Sequence, residues 1–470
     1  MVIFNPTPGR PAGIPAVLAI VLLSGCFAEY DTGNNLFELS NDDQYRDLAE
    51  HWAPRLYQDT DDSYYKGEYI TNFNFDGDYN GKNNWANLAN VTSVPAHVYY
   101  AVSETETHYF IGYYIFHPRD WHECLSLDRH ENDWEGAVLA VAKDGGYGSL
   151  VALETLAHSR IYQYAYASGI VSGTDNVDGT VRLYDGSHPE IFIEAKGHGV
   201  YGCDSRCDSA PGGDGIVYYA GPTADSPTGG SGNWTREYSY RLIAMDADGS
   251  FDGNEGLWHR RYDICDTCTF GSWGALRGDD YKTNAANMPW FWDDSNDGQS
   301  YAGDFGCNPA MLFDVHLSGT PLDSNFSHTY INHPYRTHTI DIDSVRSDKN
   351  RDPFGGRSDI YVRVIAHDSP AGTDKVLDAD AWKKNSADPG TWYSFRYGGH
   401  NAEGQTHFGD TVSKHSFCRE APASIEVAVY DSDGVDSDDY MGSIAIEGSA
   451  DFSSGIDLGD ARIKFVLTEH

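Results

Sequence analysis

Continuous apolar and aromatic runs separated by short polar stretches dominate the chain from Val94 to Leu156. Val94-Pro-Ala-His-Val-Tyr-Tyr-Ala-Val102 and His108-Tyr-Phe-Ile-Gly-Tyr-Tyr-Ile-Phe116 are aromatic and β-branched runs flanking Ser103-Glu-Thr-Glu-Thr107, which predicts a hairpin. Ala137-Val-Leu-Ala-Val-Ala142 and Leu150-Val-Ala-Leu-Glu-Thr-Leu156, on either side of the turn-forming Lys143-Asp-Gly-Gly-Tyr-Gly148, predict a second hairpin in the same antiparallel sheet. Upstream, Tyr45-Arg-Asp-Leu-Ala-Glu-His-Trp-Ala53 reads as a short helix stopped by Pro54. Downstream, strands are expected at Thr180–Tyr184 and Glu190–Glu194, and Pro211–Gly232, rich in Gly, Pro, Ser and Thr, reads as an irregular loop over a core. Trp273, Trp290 and Trp292 read as loop anchors. Past about His333 the pattern becomes a compact β unit with two acidic loops. The expectation is an all-β chain: a large antiparallel β-sandwich domain over residues 46–332 and a smaller β-sandwich over 333–470.

Residues 1–25 look like an export signal, with Arg10 the lone charge and an apolar run from Gly13 to Leu23 too short to span a bilayer comfortably. Leu23-Ser24-Gly25-Cys26 resembles a bacterial lipoprotein cleavage site with Cys26 as the acylated residue; an ordinary secretory signal is the alternative. Residues 26–45 would then be a tether, and the expected location is the bacterial cell envelope, as an outer-membrane or surface lipoprotein. The formal charge of −39 excludes a nucleic-acid binder. Of the eight cysteines, Cys203/Cys207 and Cys265/Cys268 are close pairs suited to local disulfides in an exported protein, or to zinc under reducing conditions. Cys124, Cys307 and Cys418 compete for a further bridge.

The first chemical feature is Arg129-His130-Glu131-Asn132-Asp133-Trp134-Glu135-Gly136, which runs into an apolar strand. Alternate side chains of a strand share a face, so Asp133 and Glu135 point one way and Trp134 the other. His130 and the upstream Asp120 extend the set to one imidazole and three carboxylates, which suits a hard or borderline divalent cation. A turn centred near Gly146 places His158 opposite Asp133 or Trp134, and His198, in Lys196-Gly-His-Gly199, is a third histidine for the cluster. His158 and His198 are also the candidates for acid–base catalysis. Asp76-Gly-Asp-Tyr-Asn-Gly-Lys-Asn-Asn-Trp85 starts like a calcium loop but has Asn87 where a closing Glu is expected, so a polar turn is the competing reading.

In the second unit, Arg351-Asp352-Pro-Phe354-Gly-Gly-Arg-Ser-Asp359 faces Asp431-Ser-Asp433-Gly-Val435-Asp-Ser-Asp-Asp439-Tyr-Met-Gly442. Carboxylates this crowded repel one another unless a cation holds them. The two loops resemble the calcium- and phospholipid-binding C-two domain of synaptotagmins and conventional protein kinase C, with Ile360 in place of a proline and one extra residue in the first loop. That resemblance implies Asp352, Asp359, Asp431, Asp433 and Asp439 as calcium ligands and Phe354 and Val435 as lipid-contacting tips.

The first unit's Phe116-His-Pro-Arg-Asp120, His130-x-x-Asp133-Trp-Glu135 and Ala157-His158 resemble the necrosis- and ethylene-inducing peptide-like proteins, secreted β-sandwich cytolysins with Phe-Pro-Lys-Asp, Gly-His-Arg-His-Asp-Trp-Glu and Ser-x-His segments. The resemblance covers about residues 108–165 and departs at Asn132, where that family has its second histidine. It implies that Asp120, His130, Asp133 and Glu135 hold a divalent cation, calcium or magnesium. A fainter resemblance, to the fungal vacuolar-protein-sorting family, rests on Asp133-Trp-Glu135 and partly on Gly197-His198. The expected function is calcium-dependent binding of membrane phospholipid or glycolipid, with cytolysin-like action; the alternative is a metal-dependent hydrolase of phosphate esters or glycans. No obligate protein partner is inferred.

Overall fold

The computed structural model describes residues 41–469 except 62–63, 122–128, 231, 248–255, 264–268, 272–274, 277, 281–285, 293–303, 321, 323–325, 351–356, 368–374, 378–383, 395–413, 419–423 and 432–438. The signal segment, Cys26, Cys124, Cys265, Cys268, Trp273, Asp352, Phe354, Asp433 and Val435 lie outside the described residues. Helix α1 (Asn41–His51) ends just before Pro54, the residue that disfavours its continuation.

The chain is all-β. The strands that position the sites are β1 (Arg55–Asp59), β2 (His97–Thr105), β3 (His108–Asp120), β4 (His130–Ala142), β5 (Ser149–Ala157), β6 (Arg160–Ala165), β7 (Leu183–Tyr184), β8 (His188–Ile193), β9 (Gly215–Ala220) and β10 (Glu237–Ala244). They belong to one 13-stranded sheet. Its β2 to β6 half is antiparallel throughout, as the two hairpins predict. β10 joins β2 in parallel, and β1 pairs in parallel with β8 and antiparallel with β9.

The sheet curls on itself. Leu56, Ile191, Ile216 and Tyr218 of one half share a core with Ile111, Tyr113, Ile115, Leu139 and Leu153 of the other, so a single sheet forms both layers of a sandwich. The outer face of the β2–β6 half is covered by a second core in which Trp134 meets Trp258, Trp290, Trp292 and Phe313, so Trp290 and Trp292 are the anchors their sequence suggested. A small cluster of Tyr57, Phe192, Val217 and the Cys203–Cys207 disulfide lines the outer face of the other half. Cys307 is also disulfide-bonded.

One expectation fails here. Pro211–Gly232 is not wholly loop: Gly215-Ile-Val-Tyr-Tyr-Ala220 is β9, held between β1 and β10. Its fully buried Ile216, Val217 and Tyr218 outweigh the turn-rich flanks.

The C-terminal region forms a 6-stranded and a 5-stranded sheet. The latter contains β11 (Ser358–His367), β12 (Ser424–Asp431) and β13 (Asp439–Ile446). Their core of Ile360, Val362, Val427, Val429, Phe465 and Leu467 also takes in Met311 and Val315 of helix α2 (Pro309–His316). Val429 pairs with Gly442 but Tyr430 with Tyr440, a β-bulge that leaves Met441 extra. Gly442 sits at φ 141°, and a Cβ there would lie 1.8 Å from the Leu458 carbonyl oxygen. Gly442→Ala is therefore expected to destabilise the protein by more than about 1 kcal/mol in urea denaturation. Among the described residues no helix is long and apolar enough to cross a membrane.

Candidate metal centres

Strand alternation in β4 places Asp133 and Glu135 on the inner face with Ala137 and Leu139, while Trp134 packs outward against Tyr99 and Phe116, each ring centroid 5.3 Å away. The register His117↔Asp133 sets His117 beside Asp133 on that face. His198 comes from the Lys196–Gly199 turn, where Lys196 (φ 71°) and His198 (φ 54°) are both left-handed. Its Nδ1 lies 2.8 Å from Asp133 Oδ2 and its Nε2 is 3.4 Å from Glu68 Oε2. Its ring stacks on His117 at 3.7 Å and 8°. His117 Nε2 lies 3.2 Å from Gln58 Oε1.

His117, Asp133 and His198 are buried and bring one ligand atom each within 4.8 Å of one another. The predicted set of Asp120, His130, Asp133 and Glu135 contributes Asp133 to this group. Asp120 and His130 pair across β3 and β4, with His130 Nε2 3.4 Å from Asp120 Oδ2. Glu135 Oε1 accepts from the His158 backbone N–H at 3.0 Å, while its buried Oε2 has no hydrogen-bond partner. Glu68 Oε1 and His117 Nδ1 are likewise buried without one. Unmatched buried oxygens and ring nitrogens beside two carboxylates fit a divalent cation with mixed oxygen and imidazole ligands.

The electrostatics are polarised. Burial disfavours a charge on His198, but bonds to Asp133 and Glu68 outweigh it and push its pKa up to about 10. Burial also works against the Asp133 carboxylate, yet His198, His130 and His158 hold it below the usual range. Burial, then the charges of Asp133, Glu194 and Asp120, push Glu135 well above it. Burial, reinforced by the stacked His198, keeps His117 neutral. Environments that drive neighbouring groups apart in this way cluster at functional sites.

The predicted register holds: β4 and β5 pair Gly136 with Leu156, which continues to Trp134 opposite His158. His158 (φ 52°) and Ser159 (φ 67°) form the two-residue turn between β5 and β6. Left-handed non-glycine residues cost of order 1–3 kcal/mol each and gather at functional sites. His158 Nε2 pairs with Glu194 Oε1, a contact that raises the His158 pKa. The pair rests on two glycines: a Cβ on Gly197 would come 2.7 Å from His158 Cε1, and one on Gly199 would come 3.0 Å from Glu194 Oε1. Gly197→Ala should displace the His158 ring from Glu194 and lower the His158 pKa, as an NMR titration would show.

Asn132 explains the departure from the family motif. At φ 60° it turns away from the cluster, accepting from Asn84 Nδ2 at 2.6 Å and donating to the Gly81 carbonyl at 2.8 Å. Asp76 and Asp78, the start of the calcium-like loop, accept from Asn87 Nδ2 (2.7 Å) and Asn83 Nδ2 (2.9 Å), as a polar turn would. Glu131, Asp279 and Asp280 form a second acidic group. Glu131 there accepts from the backbone N–H groups of Trp85, Asp279 and Asp280 and is a loop anchor. The sequence does not single out Glu68, His117 or Glu194: Glu68 and Glu194 carry no motif, and His117 lies inside the Phe116–Asp120 segment, whose last residues read as a loop and instead continue strand β3.

Asp59, at the end of β1 near Glu68, has its carboxyl raised to about 7 by burial and by the charges of Asp214 and Glu68. Its folded-state pKa lies above its unfolded value, so its contribution to stability is full below about pH 4 and is lost as pH rises to about 7. Asp59→Asn should flatten the stability profile across that window and raise stability relative to wild type above pH 7, as thermal melts would show.

In the C-terminal region, Asp359, Asp431 and Asp439 gather at one end of the 5-stranded sheet, with Ile360 and Asp439 both paired to Asp431. Asp359 N–H donates to Asp431 Oδ1 at 2.5 Å, and Asp359 Oδ1 accepts from Ser386 N–H at 2.6 Å. Ile360 is buried in that sheet.

No family model matches the chain, and no curated protein does. Solved structures do align with it. The first C-two domain of plant extended synaptotagmin 1 is 15% identical over 29% of this chain and 96% of its own, with a TM-score of 0.19. Necrosis and ethylene inducing protein 2 from the agent of cocoa witches' broom disease is 14% identical over 41% of this chain and 72% of its own, at 0.20. A structure described as a toxin fold for microbial attack and plant defense is 15% identical over 46% of this chain and 90% of its own, at 0.23. Two of the three families that the motifs resemble, the C-two and the necrosis-inducing ones, are represented among the structures that align, and scores this low carry no activity over to this chain.

Proposed function

We propose that the protein is exported, lipid-anchored through Cys26, and binds membrane phospholipid or glycolipid head groups through divalent cations, calcium in the C-terminal loops and calcium or magnesium in the first unit, with cytolysin-like action on the target membrane. The observation that carries this reading is the buried Asp133–His198 pair beside the unpartnered oxygen of Glu135. A charged cluster this deep, at a strained set of turns and with a carboxylate oxygen left unpartnered, is suited to hold a cation behind the half-exposed His158, where a head group would dock. Binding of the soluble form to vesicles of phosphatidylcholine and phosphatidylserine should require calcium and be abolished by chelator in co-sedimentation; binding indifferent to calcium refutes the reading.

One observation favours hydrolysis as the second reading: the half-exposed His158, oriented by Glu194 as a general base would be. Turnover of bis(p-nitrophenyl) phosphate with manganese, lost in His158→Ala, would favour it over binding.

A further inference from the structure

The opposite end of β1 holds a second concave feature, on the other face of the sheet. Gln58 faces inward to His117, whereas Arg55 and Tyr57 face outward, and the five residues from Arg55 to Asp59 span about 13 Å of strand. A cavity of about 220 Å³ opens there, lined by Arg55, Tyr184, His188, Tyr219 and Glu237 among others. It shares His188 and Ala220 with a neighbouring cavity of about 470 Å³ that adds Arg46, Glu50 and Arg241. The pair together reach the size of a small-molecule cleft, about 300–1,000 Å³.

Strand pairing builds this wall. Leu56 pairs with Tyr218, which continues to Arg55 opposite Tyr219, and Glu237 pairs with Val217 on the same face. Tyr184 is delivered by the β7–β8 pairing with His188, whose Nδ1 is fixed 2.7 Å from the Ala53 carbonyl. The Arg55 guanidinium lies 4.3 Å from the Tyr184 ring centroid and donates through Nη2 to Glu237 Oε1 at 2.5 Å. Arg55 is only 9% exposed, and its buried Nε has no hydrogen-bond partner. Tyr184 and Tyr219, in contrast, are 48% and 39% exposed, beyond what packing requires of aromatic side chains.

We infer that this cleft binds a neutral saccharide. A pyranose presents an apolar C–H face and a rim of hydroxyls. Two open tyrosine rings suit the first; a guanidinium fork held in place by Glu237, the Glu237 carboxylate as acceptor and an imidazole suit the second. Glu50 pairs with Arg46 and Glu237 with Arg55, so two of the three arginines in the walls are already neutralised and an uncharged polyol is matched. The cleft uses no metal-cluster residue, so it stands apart from the proposed cation-dependent function.

Saturation-transfer NMR on the full chain tests this, with methyl glucoside, methyl galactoside, N-acetylglucosamine and cellotetraose as probes and inorganic phosphate as the anionic control. At least one saccharide is expected to bind and to compete with the others, with affinity unchanged by chelator. Tyr184→Ala and Glu237→Gln, both at exposed positions, should weaken it at least tenfold, whereas Tyr184→Phe should stay within about threefold. No saccharide signal at 20 mM probe, binding untouched by Tyr184→Ala, or preference for phosphate would each overturn the inference. Loss of binding on chelation would place the sugar at the metal cluster and overturn it too, whereas failure of vesicle binding would leave it standing.

Discussion

Asp133→Ala is expected to lower the stability of the metal-free protein by about 3–5 kcal/mol and to abolish cation-dependent vesicle binding by the first unit. Asp133 is the shared partner of the cluster: it faces His198 at 2.8 Å and lies within ligand reach of His117. Removing it leaves a buried imidazolium with Glu68 as its remaining counter-charge, 3.4 Å away. Such an uncompensated charge costs far more than the pair contributes. Asp133→Asn separates the two effects. It keeps an oxygen acceptor for His198 and should restore part of the stability, while the lost negative charge still removes cation binding. Urea midpoints and calorimetric titration on the same samples provide both readings.

Trp134→Ala is expected to cost about 3–5 kcal/mol, the range for emptying a buried aromatic site. The indole is 3% exposed and packs against Tyr99 and Phe116. It lies on the strand face opposite Asp133 and Glu135, so a cavity there loosens the segment that aims both carboxylates. The Trp134 Nε1 is buried without a hydrogen-bond partner. Trp134→Phe therefore loses no polar contact and should cost well under half as much, with cation affinity close to wild type. A Trp134→Ala variant as stable as Trp134→Phe would show that this packing does not hold β4 in place.

Much of this was legible in the chain because its signals are local. Strand period 2 separates Asp133 and Glu135 from Trp134, and the turn centred on Gly146 brings His158 opposite. Paired acidic loops bring Asp359, Asp431 and Asp439 together. What stayed hidden depends on contacts distant in sequence. His117 joins the cluster through cross-strand register, Glu68 enters from a short 3₁₀ turn, and Glu194 is fixed through the His158 turn. β9 was masked because its six residues sit between two turn-rich stretches, and its parallel and antiparallel neighbours are far along the chain. The Arg55 cleft likewise needs the distant pairing of β1 with β9, to which the local Tyr184–His188 pairing adds one wall.

Equilibrium dialysis against 1 mM calcium and 1 mM magnesium, followed by elemental analysis, tests the central claim most directly. Wild type should retain divalent ions in both regions, Asp133→Ala should lose the ion of the first unit alone, and Asp431→Ala should lose only calcium from the C-terminal loops. Wild-type protein holding no stoichiometric ion, or an ion count unchanged by Asp133→Ala, would contradict the account.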